Sequence, residues 1–303
     1  MKRLYIFIAA SLILTRLIAQ QDPLMGDYQF NQLFLNPAYS GVNDRTSFDL
    51  KYRTQWIGVE GAPNTAFLSG TTSLLKNHIG VGFTLIHDQI GINRNTEFNT
   101  TYAYQLDLIR DMKLSFGMSA GLIALQYDYE KLNLDDLTDE DFLNTDQEIT
   151  TLNIGTGLFL SGQNYYLGLS VPRLLKVTET ANEVNSTRYN THYYISGGYL
   201  PDLTFFFKLK PYFLLRVAED SPMSLDVGAT TIWGDMLRVG LFTRDLHVFG
   251  LNTYLVLSDG IRVGYTGELA TNNAPSTEFS THEVSVGIDL QLFGDQEKRT
   301  RYY

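Results

Sequence analysis

The sequence predicts an all-β fold: a transmembrane antiparallel outer-membrane β-barrel of about fourteen strands, preceded by an N-terminal segment outside the barrel pattern. Three observations predict it. From residue 48 to residue 293, segments of roughly ten residues alternate apolar and polar side chains, the period of a strand with one oily face. The gaps between these segments alternate short and long. The non-apolar face is rich in Gly, Ser, Thr and Asn, whereas a soluble β-sandwich turns charged side chains to water.

Taken in chain order, Lys2 and Arg3 precede an apolar run from Leu4 to Leu14, and Leu17-Ile18-Ala19 ends in a small residue suited to signal peptidase. Residues 1–19 therefore read as a signal peptide, too short for a stable membrane helix, with Arg16 an unusual feature near its end. The chain has no cysteine, so neither a lipid-anchored cysteine nor a disulfide framework is expected. Loss of Lys2, Arg3 and Arg16 leaves 20 basic against 33 acidic residues, a mature charge of −13. An acidic exported chain excludes nucleic acid as a partner on electrostatic grounds.

Residues 20–47 do not alternate. Asn36-Pro37 followed by Gly41 reads as a turn, with proline fixing φ and glycine free to take a positive one. The aromatics Tyr28, Phe30 and Phe34 are too many for a solvated linker, so the segment is expected in the barrel mouth or lumen as a plug, or as a periplasmic strap outside the wall.

The barrel segments fall at 48–58, 64–73, 78–88, 93–107, 112–127, 150–162, 164–171, 187–200, 203–217, 222–233, 235–244, 248–258, 260–269 and 279–293. The third sets Ile79, Val81, Phe83 and Leu85 against His78, Gly80, Gly82 and Thr84. The last sets Val284, Val286, Ile288, Leu290 and Leu292 against Glu283, Ser285, Gly287, Asp289 and Gln291, and ends on Phe293 in a pattern of the kind read by barrel-assembly machinery. The long gaps (128–149, 172–186 and 270–278) all fall on one side, which places them at the cell surface and both chain ends in the periplasm. Tyr104, Tyr127, Tyr165, Tyr199, Trp56 and Trp233 near strand ends read as interfacial girdles. Pro211 inside the ninth segment predicts a bulge or a split strand. Residues 294–303 form a polar tail.

By alternation, Lys51, Arg53, Lys208, Lys210, Arg216, Arg238 and Arg262 share the interior with Asp49, Asp226, Glu268, Glu283 and Asp289. Mixed signs argue against a strongly ion-selective pore, and charges inside a barrel are expected to be paired or hydrated. The acidic stretch 128–149 lacks the ordered spacing of a calcium loop and reads first as a solvated surface loop, with calcium or a basic partner as alternatives. No nucleophile elbow, phosphate loop or His-Glu-x-x-His pair is present. The histidines at 78, 87, 192, 247 and 282 are scattered, so no enzyme activity, metal or cofactor is expected.

Gln21-Asp22-Pro23, Asn36-Pro37-Ala38-Tyr39-Ser40-Gly41 and Arg53-x-Gln55-Trp56 closely resemble the PorP/SprF family of outer-membrane proteins of type IX secretion and gliding in Bacteroidetes. The resemblance spans essentially the whole mature chain. It implies a barrel in outer-membrane lipid that helps secreted adhesins or enzymes reach or stay on the cell surface. The implied partners are a secreted substrate, through its C-terminal domain, and periplasmic ring or motor components of the system. Asn36, Pro37, Tyr39, Gly41, Arg53 and Trp56 are the residues expected to anchor the plug or bind a partner. Composition and spacing alone leave a second class nearly level, a porin or transporter for small and even apolar solutes. An outer-membrane enzyme, needing a membrane-facing polar triad, is a third.

Overall fold

The computed structural model describes residues 24–109, 112–128, 148–181, 184–201, 207–218, 221–234, 236–257, 260–271 and 280–293. The expected signal peptide, Gln21-Asp22-Pro23, nearly all of the acidic stretch 128–149 and the tail 294–303 lie outside the described residues. The strands are β1 (Thr46–Thr54), β2 (Asn64–Leu74), β3 (Ile79–Ile90), β4 (Asn93–Asp107), β5 (Lys113–Tyr127), β6 (Glu148–Ser161), β7 (Tyr165–Val171), β8 (Val177–Ala181), β9 (Val184–Tyr189), β10 (His192–Tyr199), β11 (Phe207–Ala218), β12 (Ser224–Trp233), β13 (Leu237–Arg244), β14 (Val248–Val256), β15 (Ile261–Ala270) and β16 (Thr281–Leu290).

Fourteen of them form a closed antiparallel barrel in which every strand pairs with its sequence neighbours, except that β8 and β9 stand apart as a two-stranded hairpin between β7 and β10. Closure is made by β1 and β16, from Thr46 opposite Leu290 to Thr54 opposite His282, which removes the open sheet edges there. The alternation is visible along β1. Phe48, Leu50 and Tyr52 point outward, with Leu50 56% exposed, while Asp49, Lys51 and Arg53 point into the lumen and are buried. At one end lie short turns such as Leu75, Lys76 and Asn77, all at positive φ, and Gly234; short turns through Gly91 and through Asp245 and Leu246, also at positive φ, join β3 to β4 and β13 to β14 at the opposite end. The long connections gather at that opposite end.

Three sequence expectations are corrected. Pro211 causes neither bulge nor split: β11 runs unbroken from Phe207 to Ala218, opposite Ala229 on one side, and its ladder with β10 stops at Tyr212. The proline stands one residue beyond that ladder and is exposed on the outer wall, where its missing N–H costs little. The gap 172–186 is no plain loop, since it contributes the β8–β9 hairpin, and the eighth barrel strand begins at His192 rather than 187. Tyr127 is no girdle residue. It is buried inside with Ile123, Leu125 and Val177, whereas Tyr104, Tyr199, Trp56 and Trp233 are exposed. Residues 24–28 lie well up the lumen, with Gly26 beside Thr266, Glu268 and Phe242.

Candidate functional site: the segment inside the barrel

Residues 24–45 occupy the lumen. The half nearer β1 is shaped by the Asn-Pro turn. Proline disfavours a helical residue before it, and Asn36 is extended at φ −143°, ψ 110°. That conformation turns its side chain back to cap the short 3-10 turn Pro37–Tyr39, with Oδ1 accepting from the Ala38 N–H at 2.9 Å. Its Nδ2 donates to the carbonyls of Leu158 at 2.9 Å and Leu169 at 3.4 Å, tying the turn to β6 and β7. Gly41 takes φ +69° and its N–H donates to Thr71 Oγ1 at 2.8 Å. Ser40 Oγ donates to Thr101 Oγ1 at 2.7 Å, and Gln105 Nε2 donates to the Ser40 carbonyl at 3.1 Å.

This turn rests directly on wall backbone. A Cβ on Gly80 would stand 1.9 Å from the Ser40 carbonyl oxygen, and one on Gly117 2.0 Å from the Ala38 nitrogen. Tyr39 packs edge-on against Phe159 at 5.4 Å, and Phe159 stacks on Tyr166 at 5.5 Å. Burial pushes the Tyr39 phenol well above its ordinary pKa and keeps it neutral.

The other half is held by charge. Asp27 forms a buried ion pair with Lys51 and accepts from Tyr254 Oη at 2.9 Å. Burial acts to raise the Asp27 pKa, but the Lys51 charge and these hydrogen bonds outweigh it and hold the carboxyl below its ordinary value. Gly26 N–H donates to Glu283 Oε2 at 3.0 Å, and Arg53 donates to Glu268 at 2.7 and 3.1 Å and to Glu283 at 3.4 Å. Asn31 Nδ2 donates to Asp49 and to Ser69, at 3.0 and 2.9 Å. The Phe30 ring lies on Tyr254 at 4.1 Å, with Lys210 Nζ 5.4 Å and the Arg238 guanidinium 5.9 Å from its centroid.

Of the six residues singled out in the sequence, Asn36, Pro37, Tyr39 and Gly41 come together in one turn on the wall. Arg53 joins the other half, reaching the segment through Glu283. Trp56 joins neither. It lies past the end of β1 at φ +50°, 39% exposed, beside a surface groove of about 310 Å³ with Gln55, Ile57 and Gly91. The residues that sequence reasoning missed are the seats Gly80 and Gly117 and the ligands Asp27, Tyr254 and Glu283. Inward position was readable for the wall members, but nothing in the strand pattern says which wall residue lies beneath a segment far away in sequence.

His282 touches Ser280 Oγ through Nε2 at 2.8 Å and Tyr265 Oη through Nδ1 at 2.6 Å, with Tyr265 exposed on the outer wall. Among the described residues no cluster of three or more His, Cys, Asp or Glu could hold a metal.

Residues 17–288 match the family model described as type IX secretion system membrane protein PorP/SprF. The chain belongs to the PorP/SprF family. It is thus an outer-membrane β-barrel protein of the type IX secretion system. A search of curated protein sequences finds no significant match. Among solved structures, PorP/SprF-type architecture here is similar to the TodX monoaromatic hydrocarbon channel deltaS2 mutant, at TM-score 0.51 and 10% identity over 87% of this chain and 94% of that one. It is also similar to the Ralstonia pickettii toluene transporter TbuX (TM-score 0.50, 9% identity, 85% and 92% covered). The CymD monoaromatic hydrocarbon channel compares alike (TM-score 0.50, 11% identity, 90% and 94% covered). At such identities these likenesses establish the fold alone.

Proposed function

We propose that this PorP/SprF protein holds a secreted type IX substrate at the cell surface, through the substrate's C-terminal domain, on a barrel closed by its own N-terminal segment. Its short-turn end meets periplasmic ring or motor components, and its apolar exterior is solvated by outer-membrane lipid. The observation that carries this reading is the seating of residues 24–45: a turn pressed on wall glycines at one end and a buried ion pair at the other. A lumen filled in this way supports binding at the loops and rims rather than flow through the middle.

The second reading, passage of small or apolar solutes, draws on the shared fold of hydrocarbon channels and transporters. The packing of residues 24–45 speaks against it: Leu24, Tyr28 and Leu35 pack on Tyr194, Tyr212, Leu214 and Phe242 within the lumen, beside the buried charges of Asp27, Lys51, Arg53, Glu268 and Glu283. We also propose that the protein has no enzymatic turnover. The Ser280–His282 contact ends on the phenol of Tyr265, where a catalytic triad uses a carboxylate or amide to orient the imidazole.

The test is a gentle detergent pull-down from native outer membranes with mass spectrometry, alongside single-channel recording of the purified barrel. Recovery of a secreted protein with conductance near baseline is expected. A barrel that conducts steadily and reproducibly lacks partners overturns the reading. The orientation has its own check: a tag at Asp139 is accessible in intact cells and one after Tyr303 is not.

A further inference from the structure

The barrel wall is uneven in height. Pairing between β6 and β7 begins at Thr156 opposite Val171, yet β6 starts at Glu148 and is covered on its other side by β5, up to Gln126. Eight residues of β6 therefore rise past the end of β7, on the order of 26 Å at ~3.3 Å per residue. Among the described residues, the chain leaving β7 hydrogen-bonds only with the base of this step, and higher up Ile149 packs on its inner side against the cluster that holds Val177. Leu174 N–H donates to the Ile154 carbonyl at 2.8 Å, and Asn153 Nδ2 donates to the Pro172 carbonyl at 3.3 Å. Beyond that point Val177 turns inward onto Ile123 and Leu125, and β8 and β9 pair only with each other. Among the described residues, no strand pairs with the outer edge of β6 from Glu148 to Asn153.

The direction of the backbone groups on that edge follows from Ile154. Its carbonyl faces the step, and successive residues of a strand present their N–H and C=O to opposite sides. Leu152 and Thr150 therefore aim theirs at the step, and Thr151 and Asn153 aim theirs at β5. The edge reads Glu148-Ile149-Thr150-Thr151-Leu152-Asn153, β-branched at three positions and free of the proline, lysine or bulge that guards natural edges. Both Thr150 and Leu152 are exposed on the outer face.

We infer that the outer half of β6 is a docking edge that pairs with an extended strand of a partner protein flanked by basic side chains. This rests on the retention reading above and names how the partner is held. Strand addition to an open edge takes its affinity from main-chain hydrogen bonds, which suits a receptor for extended polypeptide. The charge of the partner follows from the chain running into β6. Residues 128–148 carry nine carboxylates and one base, Lys131, and are tethered to this part of the wall at both ends. The same charge makes a second copy of this chain a poor occupant, because edge-to-edge pairing would bring two such stretches together within reach of unscreened repulsion.

The experiment uses the full chain in phosphatidylcholine nanodiscs. The probe is a synthetic peptide of alternating Thr and Val with paired lysines at each end, followed by fluorescence anisotropy. Saturable binding is expected, weakened by added salt and about tenfold weaker in Thr150→Pro or Leu152→Pro, as for the net loss of a backbone hydrogen bond. Heat-modified gel mobility verifies that each proline variant has closed its barrel. Independently of any variant, a probe N-methylated at alternate residues, or flanked by glutamates, binds at least about tenfold more weakly. No binding to wild type, or equal binding by the proline variants and the altered probes, overturns the inference. So does a wild-type dimer in light scattering that Thr150→Pro converts to monomer. The native pull-down separates the two readings. A secreted protein recovered equally with wild type and Thr150→Pro sinks the edge and leaves retention standing. A wild type that recovers none sinks retention, whatever the peptide does.

Discussion

The two halves of the internal segment are held by opposite means. Around Asp27 the contact is charged: a carboxylate and an ammonium with essentially no exposure, surrounded by Tyr254, Glu283 and Arg53. Around Pro37–Gly41 it is steric: backbone against backbone, made possible where the wall has no Cβ. A buried pair contributes little net stability over an apolar substitute but is costly to break on one side, because the surviving charge stays buried. A close-packed seat behaves differently. Any added atom must displace something, and adjacent contacts shift with it.

The largest effect should come from breaking the charged half on one side. Lys51→Met leaves Asp27 without its cation and should destabilise the seated segment by about 3–5 kcal/mol. The double variant Lys51→Met with Asp27→Asn should recover much of that loss. Differential scanning calorimetry in detergent measures both, and a double variant no better than the single would refute the charge argument. The same bond predicts an acid limit. The Asp27 pKa is lowered in the folded protein, so its stabilisation is complete above the ordinary aspartate value of about 3.9 and is lost as pH falls through the lower folded value. Between pH 6 and pH 4.5 this group should therefore add no slope to stability. A transition there would have to come from another group, and Asp27→Asn should leave it unchanged.

The steric half yields the next effect. Gly117→Ala places a methyl carbon into the Ala38 backbone, a clash that only movement of the turn can relieve. A cost of about 1–3 kcal/mol is expected, with the barrel closed and the turn displaced. Limited proteolysis near Pro37–Gly41, together with transient conductance, should rise in this variant and also in Gly80→Ala. Unchanged protection in both would show that the turn is not seated as described.

How far the sequence carried this contrast depends on the element. Strand alternation and the rhythm of gaps revealed the barrel because lipid on one side and a polar interior on the other impose a strict two-residue period, as Phe48, Leu50 and Tyr52 against Asp49, Lys51 and Arg53 illustrate. That logic failed where lipid stops. Tyr127 lies at the tall end of β5, where Ile123 and Leu125 also face inward and are covered by Val177, so an aromatic at a strand end no longer marks the membrane interface. The Asn36–Gly41 turn was legible from local chemistry, because proline and a positive-φ glycine act over a few residues. Its seats were not. Gly80 and Gly117 looked like any small residue on a polar face, and their role depends on a partner brought there by closure of the whole barrel. Trp56 stands close to Arg53 in sequence, yet it leaves the wall while Arg53 points into it, so a shared motif did not become a shared site.

The last comparison, a difference between two variants of one residue, tests whether the turn has its own rigidity or borrows it from the wall. Asn36 does two things at once: Oδ1 caps the Ala38 N–H, and Nδ2 binds the carbonyls of β6 and β7. Asn36→Asp keeps the cap and removes the donor to the wall, whereas Asn36→Ala removes both. Loss of a cap costs about 1 kcal/mol. If the turn is stiff by itself, Asn36→Ala should lower stability by about that amount more than Asn36→Asp. If the wall holds it, Asn36→Asp should be the worse of the two, because its carboxylate would face the Leu158 carbonyl with no proton to offer. The second outcome is expected here, since Asn36 is almost wholly buried and an unpaired charge there has no water to turn to.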